Sequence, residues 1–218
     1  MTQATIERPG LAPADLEAAE PPASPAMEPE EPDGHYEVID GRRVELPLMG
    51  AREAYIASRL SLRMGAHAQA RDLGNVLVET LYALAPGREL QRKPDVSFIS
   101  YDRWPKGRQP PRGNAWRVIP DLAVEVVSPN DPAVDLVARI RDFFEKGVRQ
   151  VWVVLPDEWS IYVYDSPKSI RVLDRADTLD GGAILPGFRL PLAEFFEPEG
   201  EEAPAGDQAS AASAGAAE

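Results

Sequence analysis

Asp121-Leu-Ala-Val-Glu-Val-Val-Ser128 is a short apolar run, rich in Val, in a chain of 218 residues. Such a run is typical of a strand that is buried on both faces of a sheet. Glu125 stands in its middle, and a carboxylate there needs a partner, because removing an unpaired charge from water is costly. The segment Pro94-Asp95-Val96-Ser97-Phe98-Ile99 repeats the arrangement, with an acid opening an apolar strand. Two acids on neighbouring core strands predict a site that holds a cation.

The segments around this run alternate between helical and strand patterns. A hairpin is predicted at Tyr36–Leu46 around Asp40-Gly41, helices at Glu53–Arg71 and from the cap Asp131 to Lys146, and strands at Val76–Leu84, Asp95–Ile99, Val151–Leu155, Ile161–Tyr164 and Ser169–Leu173. The remaining segment Thr178–Phe196 is predicted to be a loop with a short closing element. This order indicates an α/β or α+β domain with a mixed central sheet flanked by helices.

The acidic residues are concentrated at the two ends of the chain. Residues 1–34 contain eight acids and one base, and residues 197–218 contain six acids and no base. Both ends are rich in Ala, Pro and Glu and lack periodicity, so we expect disordered acidic tails. Residues 35–196 contain 22 acids and 22 bases. We therefore expect one folded domain over residues 35–196 that is nearly neutral overall, despite the formal net charge of -13.

Composition excludes several classes of site. The chain has no cysteine and two histidines, so neither a disulfide framework nor a Cys- or His-rich zinc site is expected. No apolar run approaches the length of a membrane span, and the acidic start does not have the form of a signal peptide. We expect a cytoplasmic protein with no membrane partner.

Strand geometry predicts which ligands surround Glu125. Side chains alternate along a strand, so Asp121 and Glu125 point to the same face. If the strand of Asp95 lies alongside, its carboxylate reaches the same space. Oxygen ligands without Cys or His suit a hard cation such as Mg²⁺ or Mn²⁺. For Asp121, a turn role after Pro120 is the stronger interpretation, and for Glu125 the alternative is a core acid paired with Arg139.

Five segments together resemble a known family. They are "YEVIDGRRVE", "RKPDVSFIS", "PDLAVEVVSPND", "FFEKGVRQVWVV" and "DTLDGGAILPGFRLPLAEFF", within residues 36–196. A Pro-Asp motif followed by Val-Glu-Val on the next strand resembles the PD-(D/E)XK nuclease superfamily. The order and spacing of all five resemble the Uma-type restriction endonucleases of bacteria. The resemblance implies a restriction endonuclease-like fold and Mg²⁺-dependent hydrolysis of DNA phosphodiester bonds.

The resemblance also implies roles for particular residues. Asp95 matches the acid of the Pro-Asp motif and Glu125 matches the second acid, and both would bind the metal. Many members of the superfamily add a Glu from the first helix, for which Glu53 is the candidate. Glu79 is a second candidate for an outer acid. Members of this fold often pair, so a homodimer is expected.

The chain departs from the superfamily at its lysine. Val127 stands where the core pattern has Lys, and in the Uma-type branch the lysine position moves to the following helix, where this chain has Arg139. Arginine can hold a phosphate but does not accept a proton from water at neutral pH. Two functions therefore stay open. One is an active endonuclease, in which metal-bound water attacks while Arg139 only positions charge, or in which Lys93 is a substitute for the missing lysine. The other is an impaired nuclease-fold protein that binds nucleic acid or protein.

The segment Trp104–Arg117 is the clearest basic stretch of the chain. It contains no acid, has Trp104 and Trp116 toward its ends, and includes the bases Lys106, Arg108, Arg112 and Arg117. Such a segment is able to follow a phosphate backbone. The slightly stronger interpretation is a surface loop between two strands, with one tryptophan packed on the core.

Overall fold

The computed structural model describes residues 35–85, 89–112, 115–129 and 131–196. The two predicted tails, 1–34 and 197–218, lie outside the described residues. The strands are β1 (Tyr36–Ile39), β2 (Arg42–Glu45), β3 (Gly74–Val78), β4 (Tyr82–Ala83), β5 (Leu90–Arg92), β6 (Val96–Ser100), β7 (Leu122–Val126), β8 (Gln150–Leu155), β9 (Ser160–Ser166), β10 (Ser169–Leu173), β11 (Thr178–Asp180) and β12 (Arg189–Pro191). The helices are α1 (Ala51–Ala70), α2 (Ala133–Glu145) and α3 (Leu192–Phe196).

A six-stranded mixed sheet forms the centre of the fold. Its strand order is β10-β9-β8-β7-β6-β3. The neighbours β7 and β8 run parallel, and the other adjacent pairs in this sheet are antiparallel. Helix α2 connects β7 to β8, because two parallel neighbours require a crossover between them. The predicted mixed sheet is confirmed.

Strand β7 is buried on both faces, as its apolar run predicts. All five of its residues are buried. Helix α1 covers one face, where Leu60 and Met64 share an apolar cluster with Leu122 and Val124 of β7. Helix α2 covers the other face, where its buried residues join Ala123 in a second cluster. No helix within the described ranges is both long and apolar enough to cross a membrane.

A second sheet, with strand order β2-β1-β5-β4, contains the predicted hairpin. The turn between β1 and β2 has positive φ at both central residues, 50° at Asp40 and 74° at Gly41. Asp and Gly tolerate this conformation, which matches the twist of a two-residue hairpin. Strands β4 and β5 were not predicted, and neither was the pairing of β11 with β12, because strands of two or three residues leave almost no periodicity.

The predicted single strand Val76–Leu84 is wrong. Strand β3 ends at Val78, and β4 begins at Tyr82 in the other sheet. Glu79 lies between them with a φ of 44°, a left-handed conformation that extended chain does not adopt. Its backbone N–H donates to the carbonyl of Asp95 at 3.0 Å. This turn therefore transfers the chain between sheets beside Asp95. The predicted stop at Pro86-Gly87 lies outside the described residues.

The start of α2 also differs from its prediction. Pro132 is the residue before the helix rather than its first residue, and no side chain caps this end. Asp131 instead accepts a hydrogen bond from the backbone N–H of Ser128 at 2.9 Å. Ser128 and Asp131 hydrogen-bond to each other before the helix begins, and this contact occupies the acid that the sequence assigns to the cap.

Gly74 supplies a test of the sheet packing. A Cβ on Gly74 would overlap the carbonyl oxygen of Ile99 and lie 2.8 Å from the Cα of Ser100. Because these are backbone atoms of paired strands, we expect Gly74→Ala to destabilise the protein by about 1–3 kcal/mol in urea unfolding. Gly65→Ala in α1 is the matched control, since the nearest atom to its new Cβ is 3.9 Å away. The control should be neutral or stabilising by up to about 1 kcal/mol, and equal midpoints for the two variants would contradict the packing.

Candidate active site

The two acids singled out by the sequence come from adjacent strands. Strands β6 and β7 are antiparallel, with Val96 opposite Val124. Extending this register places Asp95 beside Glu125. The valines point toward α1, so alternation directs Asp95 and Glu125 to the opposite face, which α2 covers. The sheet therefore brings both carboxylates to one side.

Each acid has one firm hydrogen bond. Asp95 Oδ2 accepts from the backbone N–H of Val126 at 2.6 Å. Glu125 Oε2 accepts from Arg139 Nη1 of α2, also at 2.6 Å. Glu125 Oε1 is buried and has no hydrogen-bond partner in the part of the chain that the structure describes. Glu125 is thus the guanidinium-paired core acid of the alternative interpretation, but one of its two oxygens stays unsatisfied.

Burial dominates the electrostatics of this pair. Loss of solvent raises the pKa of Glu125 to about 8, and Arg139 only partly opposes this effect. Burial likewise raises the pKa of Asp95 to about 6, against the hydrogen bond from Val126. The charge of Asp95 also raises the pKa of Glu125. The site consequently favours either a proton or an added cation.

A third acid, which the sequence analysis missed, lies behind the pair. Glu37 of β1 has a side chain that is 1% exposed and accepts a hydrogen bond from Arg92 Nη1 at 2.5 Å. Arg92 Nε also donates to Asp142 of α2 at 3.0 Å. The negative charge of Glu37 raises the pKa of Glu125 and of Arg139. The sequence signal that could have identified Glu37 is its position as an acid on the inward side of the predicted hairpin.

A partly exposed set of three side chains, Lys93, His35 and Glu79, lies near Asp95. Lys93 Nζ lies 2.8 Å from His35 Nδ1 and 3.5 Å from Glu79 Oε2. Glu79, the predicted outer acid, lies close enough that its charge raises the pKa of Asp95. Burial of Asp95 remains the larger cause of that shift.

Two predicted residues lie elsewhere. Glu53 belongs to the buried stripe of α1, on the face of the sheet opposite Asp95 and Glu125, and its carboxylate packs against Gly50 at the start of that helix. An acid in the first turn of a helix is favoured by the macrodipole. The described structure therefore does not bring Glu53 to the two acids, because α1 covers the other side of the sheet.

Asp121 has a structural role at the opposite end of β7. Its Oδ2 accepts a hydrogen bond from the backbone N–H of Ser100 at 2.8 Å. Its Oδ1 lies 3.0 Å from Arg103 Nε and 3.3 Å from Arg149 Nη1. The expectation that Asp121 shares the space of Glu125 is therefore wrong, because four residues of strand rise separate the two acids by about 13 Å and these partners hold the Asp121 carboxylate at the other end of β7.

The described part of the basic segment is mostly used in packing. Trp116 is buried and lies edge-on to Trp104, with ring centroids 4.8 Å apart. Trp104 Nε1 donates to the carbonyl of Arg108, whose guanidinium stacks on the same indole ring. Lys106 pairs with Asp72. These contacts favour the surface-loop interpretation.

The donor set fits a divalent cation that has few protein ligands. Within the described ranges, no three Asp, Glu, His or Cys side chains are placed to hold a metal. Asp95 and the unsatisfied Glu125 Oε1 offer two hard oxygens. Mg²⁺ commonly takes one or two carboxylates and keeps several waters. The residues present therefore fit this ion.

The fold and the two acids define a class of protein. The chain has the mixed sheet of restriction endonuclease-like proteins, with one acid opening a central strand and a second acid inside the next. The family model of Uma2, described as "Putative restriction endonuclease", matches residues 21–193. The chain belongs to this family.

A solved structure shares the fold. It is described as a "putative nuclease belonging to DUF820 from Anabaena variabilis ATCC 29413". The sequences are 18% identical, the match covers 74% of this chain and 89% of that chain, and the TM-score is 0.64. No curated protein matches the chain.

The raised pKa of Glu125 predicts a pH dependence of stability. Between its ordinary value of 4.5 and about 8, folded metal-free protein holds a proton that the unfolded chain has released. The contribution of Glu125 to the free energy of unfolding therefore falls as pH rises through this window. Glu125→Gln removes the titration of this group, so the stability of the variant relative to the parent should rise by at least about 1.4 kcal/mol, one pKa unit, between pH 5 and pH 8. Urea unfolding in EDTA measures the difference, which should shrink toward pH 5, and a difference that is constant with pH would contradict the prediction.

Proposed function

We propose that this protein is a metal-dependent endonuclease that hydrolyses phosphodiester bonds of DNA. Asp95 and Glu125 bind Mg²⁺ or Mn²⁺, and Arg139 contacts the phosphate. Glu53 is left out of the proposed site, because its side chain packs on the opposite face of the sheet. A cytoplasmic location, where bacterial DNA is accessible, belongs to the same proposal.

The unsatisfied oxygen of Glu125 carries the proposal. A buried acceptor without a partner costs about 1–3 kcal/mol. Glu125 Oε1 has no hydrogen-bond partner among the residues that the structure describes, and Asp95 lies on the same side of the sheet at the start of the adjacent strand. A divalent cation held by Asp95 and Glu125 would satisfy this oxygen and would offset the charge of Asp95, which together with burial raises the pKa of Glu125.

The roles of the side chains follow from their chemistry. A bound divalent cation polarises a phosphoryl oxygen and lowers the pKa of a coordinated water. Asp95 and Glu125 would hold that ion, and their carboxylates are oriented by the hydrogen bonds from Val126 N–H to Asp95 Oδ2 and from Arg139 to Glu125 Oε2. The guanidinium of Arg139 can donate to a phosphate oxygen at the same time, since it has five N–H donors. It stays charged at neutral pH and therefore does not act as the base.

A second candidate function is supported by the same arginine. Arg139 stands at the position where the resemblance places lysine, and it already pairs with Glu125. If this ion pair excludes the divalent cation, the protein keeps the fold and binds nucleic acid or protein without cutting. The two candidate functions differ in the cation that neutralises Glu125, which is a divalent metal ion in the endonuclease and the Arg139 guanidinium in the protein that does not cut.

Nicking of supercoiled plasmid in Mg²⁺ or Mn²⁺ tests the proposal. The parent should convert supercoiled to open-circular DNA, and EDTA should stop the reaction. Asp95→Ala should lower the rate by about 10²-fold or more, since it removes a ligand and leaves the ion poorly held. Glu53→Gln is the matched control, because it changes a buried acid on the other face, and it should keep the parent rate.

Arg139→Lys distinguishes the two candidates. An inactive parent together with an active Arg139→Lys variant would identify the impaired-nuclease function. Nicking that survives both Asp95→Ala and EDTA would reject the metal-dependent site altogether.

We also propose that two copies of the chain pair through strand β3. It is an edge strand of the described six-stranded sheet, and the side chain of Val78 at its end is 54% exposed. Unpaired edges promote strand addition, and lysine on an edge opposes it. Val78→Lys should therefore convert a dimer to a monomer in light scattering. Val137→Lys on α2, also at an exposed valine, should leave the mass unchanged, and a monomeric parent would contradict the pairing.

A further inference from the structure

Lys93 differs from the other lysines of the chain in its burial. Lys106, Lys146 and Lys168 are exposed, whereas the side chain of Lys93 is 13% exposed. Lysine is seldom placed out of water unless it has a partner, because desolvation of its ammonium group is costly. The position of Lys93 therefore requires a compensating interaction.

The partners of Lys93 in the described structure leave it with binding capacity. The ammonium group carries three donors. One donates to His35 Nδ1 at 2.8 Å, which places the histidine proton on Nε2. The nearest carboxylate oxygen, Glu79 Oε2, is 3.5 Å away on a side chain that is 45% exposed. An ion pair this long and this exposed contributes little to stability.

Lys93 lies close to Asp95 in the chain. The two residues flank Pro94 in the segment that joins β5 to β6. Glu79 connects them, because its N–H donates to the Asp95 carbonyl and its carboxylate approaches Lys93. Arg139 reaches the acid pair from the other side, through Glu125. Two cations thus flank the two acids.

We propose that Lys93 is a second phosphate-binding cation of the nucleic-acid site, held beside Asp95 by His35 and Glu79. This inference rests on the proposed function. In this role the ammonium group of Lys93 contacts the phosphate backbone. It adds to the contact of Arg139, whose guanidinium also donates a hydrogen bond to Glu125. The ammonium group is a compact point charge on a flexible stem, so it can leave Glu79 for a phosphate oxygen.

Duplex DNA binding as a function of salt tests the inference. With Ca²⁺ as the hard divalent cation, the plot of log affinity against log salt should lose about 0.9 of its slope in Lys93→Met, the contribution of one phosphate contact. Affinity should fall about tenfold, which corresponds to a charge-assisted hydrogen bond. Lys168→Met, at an exposed lysine in the β9–β10 turn, is the matched control and should keep the parent slope.

Further variants exclude a structural effect. Lys93→Gln keeps a donor for His35 and should show the same loss of slope, whereas Lys93→Arg should restore most of it. Lys93→Met and Lys93→Gln should bind Mn²⁺ as tightly as the parent or more tightly in calorimetry, because they remove a positive charge and no metal ligand.

The outcomes for the inference and for the proposed function are distinguishable. If Lys93→Gln folds and binds DNA with the parent slope, the phosphate role of Lys93 is wrong while the metal site stands. If the uncharged variants lose Mn²⁺ affinity together with DNA affinity, Lys93 supports the fold rather than the phosphate. A parent that binds neither Mn²⁺ nor duplex DNA overturns both.

Discussion

The carboxyl group of Glu125, enclosed in the central sheet, constrains the structure around it. Its strand is buried on both faces, so the acid has no access to bulk water. The compensating cation, Arg139, comes from α2, the crossover helix that the parallel pairing of β7 and β8 requires. The helix that the sheet topology requires is therefore also the helix that supplies the positive charge beside Glu125. Because the guanidinium satisfies one oxygen only, the site remains able to accept a cation.

Buried ion pairs extend from this site into the second sheet. Glu37 of β1 and Asp142 of α2 share the guanidinium of Arg92, whose side chain is 4% exposed. Breaking a buried pair of this kind by removing one partner commonly costs about 3–5 kcal/mol. Together with Asp95, Glu79 and Glu125, these acids outnumber the three cations that the structure describes beside them, Arg92, Lys93 and Arg139, by five to three. The shortage of positive charge on this face is the physical reason for expecting an added cation.

The two faces of the central sheet differ in chemistry. Toward α1 the sheet presents a broad apolar cluster that includes Phe98, Val124 and Trp152. Toward α2 the apolar cluster is smaller, and the ion pairs adjoin it. Because only the face toward α2 carries the ion pairs, an acid on a predicted helix joins the site only if that helix lies on this face. Glu53 is an acid on the predicted first helix, but that helix lies on the apolar face.

Much of the central architecture was determined by the sequence alone. The apolar run around Glu125, the Asp-Gly turn and the helical stripes are local signals, because hydrophobic period and turn conformation depend on near neighbours. The same signals identified Asp95 and Glu125 as acids that need a cation, since both open or interrupt a buried strand. The family resemblance located Arg139 by spacing within one helix.

Only the tertiary structure decided which charges meet. The contacts of Glu37 with Arg92 and of Lys93 with Glu79 join residues from different elements, and no local period encodes them. Strand alternation directs Asp121 to the same face as Glu125, but four residues of strand rise separate them by about 13 Å, and Asp121 accepts a hydrogen bond from Ser100 at the other end of β7. The left-handed turn at Glu79 ended a strand that the apolar pattern continued. Long-range electrostatics and sheet register depend on the complete fold, whereas periodicity depends on the chain alone.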